Sequence, residues 1–104
     1  MVEKDRKNGK NSTKIHTKDV VETSDSRFSS DYDRITLFFD ADRKILEVFF
    51  VRKKGGVYHI EKHVFRNVKQ TAYRNVAHFL ERERWKDFWE YLSTLELACV
   101  TRVL

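Results

Sequence analysis

The sequence predicts an α+β domain, a four-stranded antiparallel sheet followed by one amphipathic C-terminal helix, and three observations predict it. From Arg34 onward apolar residues recur at every second position. Turn-forming residues, Asp40-Ala41-Asp42-Arg43 and Gly55-Gly56, interrupt that alternation. In the last third Leu80, Trp85, Phe88, Trp89, Leu92 and Leu95 recur at helical spacing instead. A period of two lines one face of a strand and a period of about 3.6 lines one face of a helix, so the change of period marks a change of element.

Residues 1–33 precede the pattern. They are Lys, Asn, Ser, Thr, Asp and Glu with isolated Ile15, Val20, Val21, Phe28 and Tyr32, too little apolar surface to offset the entropy of ordering a chain. They read as a disordered tail, basic and then acidic. Residues 1–18 hold six Lys/Arg against Glu3 and Asp5, and residues 19–33 hold Arg27 against Asp19, Glu22, Asp25, Asp31 and Asp33. Ser24, Ser26, Ser29 and Ser30 lie among those acids, where phosphorylation would add further negative charge.

The folded part, residues 34–104, begins with Ile35, Leu37 and Phe39 on one face of a first strand. The second runs from Lys44 to Lys53, with Leu46, Val48 and Phe50 on an apolar face and Ile45, Glu47, Phe49, Val51 and Lys53 on a mixed one. One side of such a strand packs and the other meets solvent or a partner. Gly55-Gly56 supplies the positive φ of a tight turn. Val57 to Arg66 is the third strand, with Tyr58, Ile60, Lys62, Val64 and Arg66 sharing a face.

Residues 67–80 fit two patterns. Val68, Ala72, Val76 and Leu80 suit a helix, whereas Arg74, Val76, His78 and Leu80 alternate with Tyr73, Asn75, Ala77 and Phe79 as in a strand. A fourth strand over about 72–80 is the favoured reading. Residues 82–95 then form the helix, with Trp85, Phe88, Trp89, Leu92 and Leu95 on one stripe. A core built from some seventy residues is small, because such domains bury only about 60% of their unfolded surface. A homodimer that shares the aromatic stripe is therefore expected.

Charge points to the partner. The chain carries a formal net charge of +5, and the excess sits in the folded part. Residues 43–74 hold Arg43, Lys44, Arg52, Lys53, Lys54, Lys62, Arg66, Lys69 and Arg74 against Glu47 and Glu61. Lys and Arg neutralise phosphates, and flat aromatic faces stack unpaired bases for about 1 to 3 kcal/mol each. Arg43, Lys44, Arg52, Lys53, Lys54, Lys62 and Arg66 are the phosphate candidates, with Phe49 and Tyr58 the stacking candidates, for single-stranded DNA or RNA. The competing readings are a solvated basic surface, with the strand phenylalanines in the core, and a dimerising protein-interaction module that docks a partner on its aromatic helix.

No catalytic residues, metal or cofactor are expected. His59 and His63 share a strand face without a Cys or third ligand nearby, and Asp40 and Asp42 are accounted for by their turn. Cys99 stands alone among apolar neighbours, which reads as a buried thiol in a reducing compartment. No run approaches the ~20 apolar residues that span a bilayer, and the N-terminus lacks the apolar core of a signal peptide. The expectation is a soluble intracellular protein without membrane contact.

Two stretches carry a family likeness. Asp40-x-x-x-Lys44-Ile45-Leu46-x-Val48 and Leu80-x-x-Glu83-x-Trp85-x-x-Phe88-x-x-x-Leu92 resemble the turn, second strand and helix entry of the transcriptional positive cofactor 4 family of single-stranded DNA-binding coactivators. The likeness spans roughly residues 33–96. The chain departs from the family pattern at Ala41 and Lys53, where aromatics are expected, and at Glu81-Arg82, which replaces Asn-Pro. Phe49, Phe50 or Tyr58 would then supply the stacking groups. The Pur-alpha and Whirly families share the plan of four strands and a helix. The resemblance implies an intertwined homodimer, a coactivator role beside the transcription machinery, and a nuclear location in a eukaryotic host.

Overall fold

Alternation between Arg34 and Arg66 becomes two successive hairpins. A computed structural model describes residues 13–19 and 32–102. The strands are β1 (Thr13–Asp19), β2 (Arg34–Asp40), β3 (Ile45–Lys54), β4 (Val57–Arg66) and β5 (Glu96–Arg102). The helices α1 (Gln70–Glu81) and α2 (Trp85–Leu92) lie between β4 and β5. All strand pairs are antiparallel and the sheet order is β1-β2-β3-β4-β5. At the first turn Asp40 Oδ1 accepts the N–H groups of Asp42 (3.0 Å) and Arg43 (3.2 Å), and Lys44 takes a φ of 59°. At the second, Gly55 and Gly56 have φ of 63° and 80°, the left-handed pair that matches strand twist.

The expected four-stranded sheet with a single helix is corrected: the described residues form five strands and two helices. Residues 67–80, favoured as a strand, contain α1. Its buried residues are Tyr73, Val76 and Leu80, spaced three and four apart, which only a helix brings to one side. β1 falls inside the stretch expected to be a tail. Ile15 is its one large apolar residue, but an edge strand needs only a ladder on one side, and two side-chain contacts tie it to the end of α1. His16 Nε2 lies 3.1 Å from Glu81 and Lys18 Nζ lies 3.4 Å from Glu83. The rest of the expected tail, with its serines, lies outside the described residues. β5 went unrecognised because it follows the last periodic segment and is exposed along its whole length. Cys99 on it is exposed rather than buried.

Both helices pack on one sheet face. Ile35, Leu37 and Phe39 of β2, Leu46, Val48 and Phe50 of β3, and Phe65 of β4 meet Val68, Tyr73, Val76, Leu80, Trp85, Phe88 and Leu92 in one buried cluster. Each such side chain contributes about 1.5 to 3 kcal/mol when fully buried. Tyr73 stacks on Phe39 at 4.8 Å and Trp89 stacks on Phe50 at 5.0 Å. Leu95, just past α2, packs against the same cluster. The aromatic stripe expected to be shared with a second copy packs against the sheet of its own chain. Val68 N–H donates to Lys44 O at 2.8 Å, which ties the entry of α1 to the first hairpin turn.

Candidate functional site

Among the described residues, both helices lie on one face of the sheet and no element packs on the other. Pairing register assigns its residues: Thr36, Phe38 and Asp40 on β2, Glu47, Phe49, Val51 and Lys53 on β3, and Tyr58, Ile60, Lys62 and Val64 on β4. This is the mixed face read from the sequence. Phe49 stands opposite Lys62 and Tyr58 opposite Lys53. Lys62 Nζ sits 6.0 Å from the centre of the Phe49 ring, and Lys53 Nζ sits 5.5 Å from that of Tyr58. Both are cation–π distances. Phe38 meets Phe49 edge-on at 5.5 Å.

Two hollows lie on this face. The larger, about 590 Å³, is lined by Asp33, Arg34, Val51, Lys53, Tyr58 and Ile60. Its floor is apolar and its rim charged. Asp33 closes one side: its N–H donates to Val51 O at 2.7 Å and its Oδ2 accepts the Lys53 N–H at 2.7 Å. Arg34 is held by Asp19, with Nε donating to Oδ1 at 2.8 Å, and this hydrogen bond and charge raise its already high pKa. The smaller hollow, about 210 Å³, is bordered by Thr13, Phe38, Asp40, Arg43, Ile45 and Glu47.

The nine residues singled out in the sequence do not all meet. Phe49, Tyr58, Lys53 and Lys62 share the open face. Arg66 belongs to it but is engaged, its Nε donating to Glu96 at 2.8 Å. Asn67 donates to the other Glu96 oxygen at 2.7 Å. These two hydrogen bonds, Asn67 first, hold the Glu96 carboxyl below the usual range. Arg52 is on the opposite face, 5.9 Å from the Tyr32 ring, because it follows Phe50 by two. Arg43 and Lys44 stand in the first turn, Arg43 being 3.8 Å from Asp40, and Lys54 ends β3 at the second turn.

Sequence reasoning passed over Phe38 and Asp33. Phe38 was weighed as core, yet it is 36% exposed. The signal was present, since placing Ile35, Leu37 and Phe39 on one face puts Phe38 on the other. Asp33 lay one residue outside the expected domain. His59 and His63 face the helix side, where His63 Nε2 is 3.1 Å from Glu61 Oε1. Among the described residues no three His, Cys, Asp or Glu side chains gather as a metal site, and no helix is long and apolar enough to cross a membrane.

Comparison with known proteins gives no significant match to a family model, a curated protein or a solved structure. The likeness carried by Asp40–Val48 and Leu80–Leu92 therefore rests on those residues alone.

Proposed function

We propose that the open sheet face binds single-stranded nucleic acid. The observation that carries this reading is the pair of ring and ammonium contacts, Phe49 with Lys62 and Tyr58 with Lys53, side by side on the sheet face opposite α1 and α2. An extended strand laid across β3 and β4 stacks bases on the two rings while the ammonium groups swing from the rings to its phosphates. Phe38 lengthens the stacking surface toward β2. A duplex offers phosphates but keeps its base faces stacked inside, so the rings favour unpaired strands. The apolar floor of Val51 and Ile60 in the larger hollow suits a base edge more than a free phosphate.

The test is a titration of labelled single-stranded and duplex oligonucleotides at two salt concentrations. Single strands are expected to bind more tightly, with affinity falling as salt rises. Replacing Lys53 and Lys62 together by Ala should weaken all binding and reduce the salt slope by nearly two phosphate contacts. Tyr58→Ala should weaken single-strand binding with little change of slope. Equal affinity for single strand and duplex, or no loss from either change, overturns the reading.

A further inference from the structure

Glu47 stands on the open sheet face with apolar residues on all four sides. Phe38 is directly opposite it on β2 and Val64 on β4, and Ile45 and Phe49 lie two residues before and after it on β3. It is half-buried. Among the described residues it pairs with no cation and accepts no hydrogen bond. The cations nearest along the face are committed elsewhere: Lys62 reaches the Phe49 ring, Arg43 lies 3.8 Å from Asp40, and Arg66 binds Glu96. Asp40, the other carboxylate bordering the same hollow, is occupied too, by two N–H groups of its turn and by Arg43. A partly desolvated carboxylate without a partner costs stability, and Glu is a poor strand residue, so neither packing nor pairing accounts for Glu47. On a face that meets phosphates it also repels them.

We infer that Glu47 selects guanine among the bases of a bound single strand. This rests on the proposed function and names the base that the open face takes. Donors and acceptors decide it. An ionised carboxylate has two acceptor oxygens and no donor. Guanine is the one base whose Watson–Crick edge carries two adjacent donors, the ring N1–H and an exocyclic N2–H, so both oxygens are satisfied at once. Cytosine and adenine offer an amino group beside a ring acceptor, and thymine and uracil offer one N–H between two carbonyls. In each of these an acceptor faces the carboxylate and is repelled. Phe38 and Glu47 are cross-strand neighbours, a spacing of about 5 Å. A base stacked on the exposed Phe38 ring therefore turns its edge to the carboxylate across the mouth of the hollow of about 210 Å³ that both residues border. Lys62 and Lys53 stand beside and beyond Phe49, where they hold phosphates away from Glu47.

The test compares the full chain's binding to two strands, in a lithium salt that keeps guanines from pairing among themselves. One strand alternates deoxyguanosine and deoxythymidine. In the other, deoxyinosine, which lacks only the N2 amino group, replaces deoxyguanosine. The parent protein is expected to prefer the guanine strand by about five- to tenfold, the low end of what a bidentate base contact gives. Glu47→Gln keeps the size of the side chain and exchanges an acceptor for a donor. It is expected to abolish that preference while binding the inosine strand no more weakly than the parent does, because a negative charge has left the face. A variant that had merely unfolded would lose both strands. Equal binding of the two strands by the parent, or a guanine preference that survives Glu47→Gln, overturns the inference and leaves single-strand binding standing. Binding to neither strand overturns the proposed function, and the inference with it.

Discussion

At the residue scale, Glu96 shows how a surface carboxylate comes to matter. Both of its oxygens are occupied, one by Asn67 and one by Arg66, at the point where β5 begins and the link to α1 leaves β4. These bonds favour the charged form, so the folded-state pKa lies below the unfolded one. The sign follows: the contribution to stability is present above the unfolded pKa and is lost as pH falls through the depressed folded value. Asn67→Ala removes the larger of the two causes. NMR titration of the Glu96 carboxyl should show its pKa rising toward that of an ordinary Glu, and the acid limb of a stability profile should flatten. An unchanged titration would show that Asn67 is not holding the carboxylate. Asn67 also has a φ of 58°, which Asn tolerates better than Ala, so the pKa rather than the melting temperature is the informative readout.

At the element scale, α1 begins without help. Lys69 occupies its N-cap with an extended backbone, its side chain makes no capping bond, and the first turn holds no acidic residue. A helix start leaves unpaired N–H groups and a partial positive charge, both poorly served by a lysine. Lys69→Asp should therefore stabilise the protein by about 0.5 to 2 kcal/mol, read as a raised denaturation midpoint. A lower midpoint would show that Lys69 has another role. The same missing cap helps explain why α1 was hard to read. With Lys69 rather than Ser, Thr, Asp or Asn at the N-cap, only the spacing of Tyr73, Val76 and Leu80 marks a helix, and the alternation from Tyr73 to Leu80 competes with that signal. β2, β3 and β4 were legible because one face of each is buried and nearly every second residue records it. β1 and β5 bury no continuous face, so pairing alone makes them strands and pairing leaves little trace in composition. For the site, the mixed face of β3 and its neighbours on β4 were visible from alternation. Arg52 was assigned by charge against the parity that places it with Phe50.

At the scale of the whole molecule, the layered arrangement divides labour between two faces. The helix side holds the buried aromatics, and the opposite side holds Phe38, Phe49 and Tyr58 where they remain accessible. β1 bounds the sheet on one flank, and its loss would leave β2 as a bare edge. Deleting residues 1–19 is expected to lower the melting temperature by several degrees, about 4 to 8 °C for each kcal/mol in a domain of this size. It should also raise the tendency to aggregate. An unchanged melting curve would mean that β1 contributes nothing to stability despite its ladder to β2 and its ties to Glu81 and Glu83.

The turn joining β3 to β4 has a consequence for chirality. Gly55 and Gly56 have positive φ, yet a Cβ added at either would meet no atom within 4 Å. Room is therefore not the constraint there. Handedness is, because an L side chain in this conformation costs about 1 to 2 kcal/mol. A D-alanine at position 56, introduced by chemical synthesis or ligation, takes the same φ as its natural one and narrows the unfolded ensemble, so it should stabilise the fold by about 0.4 to 1 kcal/mol. L-alanine at the same position should destabilise it. Two proteins of identical composition, differing only in the mirror sense of one residue, would then melt on either side of the parent.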